Sequence, residues 1–125
     1  MIILSKFRIM QKIEKWRIEE LAIALNELTA LLKTGDSRDW ANVFSHFYDE
    51  SQKIIFKKEF DLDALSKLII NIKNCFFNGH SFKEIALRHK SPREEIKLNE
   101  GFLFVRARLY KILTDLEHRI TEYTN

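Results

Sequence analysis

His46 and Glu50 stand four residues apart, and His80, Glu84 and His89 fall within one short stretch, a spacing that could gather ligands for a metal ion. A zinc site draws three or four ligands into a tight shell, however, and neither a His-Glu-x-x-His run nor paired cysteines supply them here. No metal is expected, and surface imidazoles and helix-capping glutamates account for these residues. Cys75 follows Asn74 and precedes Phe76 and Phe77, a setting that suits a small core residue better than an activated thiol. As the only cysteine it cannot close an internal disulfide, which points to a reducing compartment. The three glycines, Gly35, Gly79 and Gly101, lie too far apart to form a phosphate-cradling loop. Asp36, Asp39, Asp49 and Glu50 contain pairs that could act as acid and base, yet capping of a helix start explains the first two and solvent exposure the others. These observations predict a protein that performs no catalysis and holds no cofactor.

Nucleic-acid binding is a sharper rival. Residues 81–86, Ser-Phe-Lys-Glu-Ile-Ala, look like the first helix of a helix-turn-helix, and Ile96 falls where a recognition helix places a core residue. The turn does not fit: His89 and Lys90 occupy the places of an apolar residue and a turn glycine. Glu94 and Glu95 would also bring negative charge toward the phosphates. A helix-turn-helix regulator is therefore an alternative, and a self-associating structural or adaptor domain is another.

The elements that must position these groups read as helices throughout, without any alternating strand pattern. The first helix is expected to begin between Ser5 and Lys12 and to run to Lys33. Its stripe of Ile18, Leu21, Leu25, Leu28 and Leu32 is widened by Trp16 and Leu31. At the corner that follows, Gly35 is expected to take the left-handed conformation and Asp36 or Ser37 to cap the next helix. That helix, about residues 37–57, carries an aromatic wedge of Trp40, Val43, Phe44 and Phe47. Asp61 caps a third helix, striped by Leu62, Leu65, Leu68, Ile69, Ile72 and Phe76, that stops at Asn78 or Gly79. Ser81 with Glu84 makes a capping box for a short fourth helix, and Ser91, Pro92 and Glu94 make a second box opening the last. In the last helix Leu103 and Phe104 widen a stripe of Leu98, Phe102, Val105, Leu109, Leu113, Leu116 and Ile120, so this helix should be the most enclosed. Gly101 within it implies close approach of a neighbour. The expected architecture is an all-α, single-domain bundle of about five helices with a short fourth, preceded by a loosely packed segment at residues 1–11.

A chain of 125 residues, 46% hydrophobic and with ten Phe, can bury a substantial core without cross-links. No apolar run approaches the roughly 20 residues of a membrane span, and the opening residues lack the long apolar stretch of an export signal. A cytoplasmic protein is expected. The net charge of +3 is unevenly spread: residues 34–63 carry four basic and seven acidic groups, residues 64–125 eleven and seven. Most of these charges, by their helical spacing, belong to solvated faces.

Three pieces of the chain resemble an uncharacterised family of small all-helical bacterial proteins. They are Leu25-Asn26-Glu27-Leu28 through Leu31-Leu32 into Gly35-Asp36-Ser37-Arg38-Asp39-Trp40-Ala41; Phe77-Asn78-Gly79-His80-Ser81-Phe82-Lys83-Glu84-Ile85; and Leu98-Asn99-Glu100 followed by residues 106–110. The chain departs from the family at residues 76–80, where a more glycine-rich turn is usual. The resemblance implies an immunity protein, antitoxin-like, that binds a cognate bacterial toxin and occludes its active site. A toxin acting on nucleic acid, such as a nuclease, has a basic site, so the expected contact surface is Asp36, Asp39, Asp49, Glu50, Glu59, Asp61 and Asp63. A homodimer is compatible with this reading, whereas membrane and nucleic-acid partners are not expected.

Overall fold

The computed structural model describes residues 13–77 and 82–124. The expected onset of the first helix, the segment at residues 1–11, the stop at Asn78 or Gly79 and the Ser81 cap lie outside the described residues. Helix α1 (Lys15–Thr34), α2 (Arg38–Phe56), α3 (Leu62–Phe77) and α4 (Pro92–Thr124) follow in order, with a 3₁₀ turn at Phe82–Glu84. Among the described residues there are thus four helices and one turn, not about five helices.

Consecutive helices are neighbours, and α4 returns to pack on α1. Arg108 reaches Glu27 at 3.4 Å while Gly101 faces Leu31, so α4 runs antiparallel to α1. Lys73 pairs with Glu117 and Phe76 packs on Tyr110, which makes α3 and α4 antiparallel too. The result is an up-down-up-down ring of helices around one core, to which Leu21, Leu25, Leu28, Leu32, Phe44, Leu65, Ile69, Ile72, Phe102 and Leu109 contribute fully buried side chains.

The predicted stripes of α1 and α3 are buried as expected apart from Leu62, which is half-buried, but several flanking residues are not. Trp16 and Val43 are exposed. Val43 is turned about 100° from Phe44, and the inward face of α2 is centred instead on Phe44, Phe47, Ser51, Ile54 and Ile55. Leu103 and Phe104 are exposed as well, because α4 packs on α1 and α3 and, among the described residues, its outer side meets no helix. The last helix is consequently not the most enclosed.

The α1–α2 corner departs from expectation in an instructive way. Gly35 has φ −88°, and the left-handed residue is Asp36 at φ 60°. The Ser37 N–H donates to Leu32 O at 2.8 Å and the Asp36 N–H to Lys33 O at 3.3 Å, the paired bonds of a Schellman closure. The Ser37 side chain makes no capping bond. Gly35 is required for a different reason: a Cβ built there would lie 2.6 Å from Leu87 Cβ. At Gly101, by contrast, a Cβ would meet Leu31 Cδ2 at 3.5 Å, an ordinary contact, so close approach does not explain that glycine.

The short fourth helix is replaced by the 3₁₀ turn and a non-helical run over residues 85–89. Asn99 is the cause. Its Oδ1 accepts from the Leu87 N–H at 2.8 Å, and its Nδ2 donates to Leu87 O at 3.0 Å and to Glu95 O at 2.9 Å. The Arg88 N–H donates to Gly35 O at 2.9 Å. Backbone groups that a helix would use are thereby committed elsewhere. The second capping box is half formed. The Glu94 N–H donates to Ser91 Oγ at 3.4 Å, but the Ser91 N–H donates to His89 Nδ1 at 3.0 Å rather than to Glu94.

The two described glycines should respond to alanine with opposite signs. Gly101→Ala is expected to raise unfolding stability by about 0.5–1 kcal/mol, the helix-propensity gain. Gly35→Ala is expected to lower it by about 1–3 kcal/mol, because the Cβ of Leu87 cannot rotate away. Urea unfolding of both variants measures the difference.

Candidate functional site

The acidic residues expected to form one surface are divided by the length of α2. Asp36 and Asp39 sit at its N-terminal end, where Asp36 borders a hollow lined also by Arg88, His89, Lys90 and Glu95. Its charge there is set among three basic side chains. Asp49 is exposed midway along α2.

At the other end the structure brings three of the seven together. A groove of about 530 Å³ between α2 and α3 is lined by Glu50, Asp61 and Asp63, with His46, Lys67 and Asn71, over Phe47, Ala64 and Leu68. Spacing explains the set: residues 46, 47 and 50 share one side of α2, and residues 64, 67, 68 and 71 one side of α3. Glu59 lies just outside, in a smaller hollow over the α2–α3 turn shared with Lys57, Phe60, Asp61, Leu62 and Asp63.

Two of the groove carboxylates have local cations. Glu50 Oε1 is 3.3 Å from Lys53 Nζ and 3.8 Å from His46 Nε2. Asp61 receives the Lys57 ammonium at 2.6 Å and, through its other oxygen, the Ala64 N–H at 3.0 Å, so it caps α3 as the sequence predicts. The Lys57 hydrogen bond first, and the Ala64 N–H second, hold the Asp61 carboxyl below the usual carboxylate value. Among the described residues no ion pair joins Asp49, Glu59 or Asp63.

His46 and Glu50 thus face each other without a third ligand. No group of three His, Cys, Asp or Glu gathers among the described residues. Cys75 is half-buried, its thiol donates to Asn71 O at 3.6 Å, and burial raises its pKa, which leaves little thiolate at neutral pH. Among the described residues no helix is long and apolar enough to cross a membrane. The first helix of a helix-turn-helix is not formed either, since Phe82–Glu84 is a single 3₁₀ turn followed by a non-helical run.

His46, Lys67 and Asn71 were not marked by the sequence as groove residues. The packing of α2 on α3, which no local pattern specifies, assembles them. A search against protein-family models, curated proteins and solved structures finds no match for this chain.

Asp61 generates a pH-dependent prediction. Because its folded-state pKa is lowered, its charge contributes stability that is present above the unfolded value of about 3.9 and is lost as pH falls through the lower folded value. Asp61→Asn keeps the cap on Ala64 and removes the charge facing Lys57. The variant should be less stable than the native chain at neutral pH, and the gap should close as pH falls through the lowered folded-state value. Parallel denaturant titrations across that range read it directly.

Proposed function

We propose that the chain is a non-catalytic binding protein that engages a positively charged protein partner, and that it acts as an immunity protein against a bacterial toxin. The observation that carries this reading is the α2–α3 groove, where Glu50, Asp61 and Asp63 surround an apolar floor of Phe47, Ala64 and Leu68. A groove of that composition suits a basic side chain whose stem rests on the floor while its head meets the carboxylates. Occlusion requires only that the surface be rigid and complementary, and a core of interlocked aromatic residues supplies rigidity. The resemblance to small bacterial helical proteins suggests the toxin, and the acidic groove suggests that the toxin's covered site is basic, as in a nuclease. The expected cellular location is the cytoplasm.

Co-expression with the protein encoded immediately upstream tests the proposal. Co-purification and rescue of growth are expected. Glu50→Lys with Asp63→Lys should weaken the complex by about tenfold or more, since reversed charges face a basic site. Asp49→Lys, outside the groove, should change affinity by less than about threefold. A complex indifferent to the groove reversals would overturn the assignment of this surface, and failure to bind or rescue would overturn that pairing.

A further inference from the structure

Helix α4 carries a second apolar face that the bundle does not use. Its inward stripe of Phe102, Val105, Leu109, Leu113 and Leu116 is buried, yet Ile96 is 61%, Leu103 54%, Phe104 69% and Tyr110 38% exposed. Phe77 of α3, 59% exposed, extends this face, its ring 6.0 Å from that of Tyr110. Ala107 lies between them, and Phe76, Phe77, Leu103, Arg106, Ala107 and Tyr110 together line a shallow groove. Ile96, Leu103, Ala107 and Tyr110 fall on one side of the helix, with Phe104 at its edge and Glu100 beside it, so the apolar residues form one face rather than scattered exposure.

We infer that this face is the contact surface of a symmetric homodimer, in which α4 lies antiparallel on α4 of a second copy. Two observations select a second copy over another protein. The first is area. The five large side chains leave about 500 Å² of apolar surface exposed, more than half of the roughly 800 Å² that each partner contributes to a stable interface, and close to the apolar share found in homodimers.

The second is charge complementarity under the symmetry itself. An antiparallel pairing centred between Val105 and Arg106 sets each residue of α4 against a partner residue equally far on the other side of the centre. Glu100 then faces the partner's Lys111. Both are exposed, and they lie three helical turns apart on the same side of the seam. In a twofold interface this pair occurs twice, giving two attractive contacts beside the apolar centre. The outermost pair, Arg93 with the partner's His118, adds no attraction. At the centre Phe104 packs over the partner's Ala107, a large residue against a small one, which permits close approach of the two helices. This dimer does not depend on the inhibitor reading, because the seam and the α2–α3 groove are lined by different residues and a dimer leaves the groove open.

Sedimentation velocity of the full chain over a wide concentration range is the test, with circular dichroism and thermal melting as folding controls. A dimer is expected at micromolar concentration. Leu103→Glu or Phe104→Glu should raise its dissociation constant at least about tenfold while helicity is retained. Glu100→Lys should weaken the dimer several-fold, and combining it with Lys111→Glu should restore association. A monomer at every concentration, or a dimer unaffected by both apolar variants, would overturn the inference. Failure of the charge swap to restore association would overturn the antiparallel register.

Discussion

Phe82 is the point at which α2, α3 and α4 meet. Its fully buried ring lies 5.6 Å from Trp40 and 4.8 Å from Phe44 on α2, 4.7 Å from Phe76 on α3, and 6.0 Å from Phe102 on α4. Three of the four contacts are edge-to-face, the arrangement in which ring quadrupoles attract. No helix supplies this ring. It comes from the 3₁₀ turn, and the non-helical run behind it is held by Asn99 at Leu87 and by Gly35 at Arg88 and Leu87. The loop thus acts as a wedge and a clamp at one end of the bundle, while the far end of α2 and α3 is left to form the acidic groove.

That division explains where the chain can present function. The clamped end commits its polar backbone groups internally and its aromatic residues to the core. At the opposite end the α2–α3 turn carries Lys57, Glu59, Asp61 and Asp63, and the adjoining groove combines charge with an apolar floor. The third distinctive surface, along α4, follows from the ring topology: a helix packed on two neighbours buries only part of its circumference, and Ile96, Leu103, Phe104 and Tyr110 lie on the part left exposed.

The helices and most core residues were legible because their three-and-four spacing is a local property of the sequence. So was the Asp61 cap, which needs only the next turn of its own helix. What escaped was set by partners distant in sequence. Gly35 looks like a left-handed helix stop, yet it is glycine because Leu87 approaches, and Asp36 takes the left-handed conformation. Residues 81–86 look helical until Asn99 claims the Leu87 backbone. Leu103 and Phe104 have the composition of core residues, and they lie outside because, among the described residues, α4 packs on α1 and α3 alone. In the acidic set, Glu50, Asp61 and Asp63 converge because α2 packs on α3, whereas Asp36 and Asp39 sit at the opposite end of α2.

The central claim is that one non-helical residue ties the bundle together, and the equilibrium unfolding of Phe82→Ala tests it most directly. Four aromatic neighbours would then border an empty volume too enclosed to collapse. The account predicts a loss of about 3–5 kcal/mol, in the range of large-to-small aromatic truncations in a core. A loss below about 1 kcal/mol, with the native fold retained, would contradict it, and the turn would be a cover laid over a bundle that stands without it.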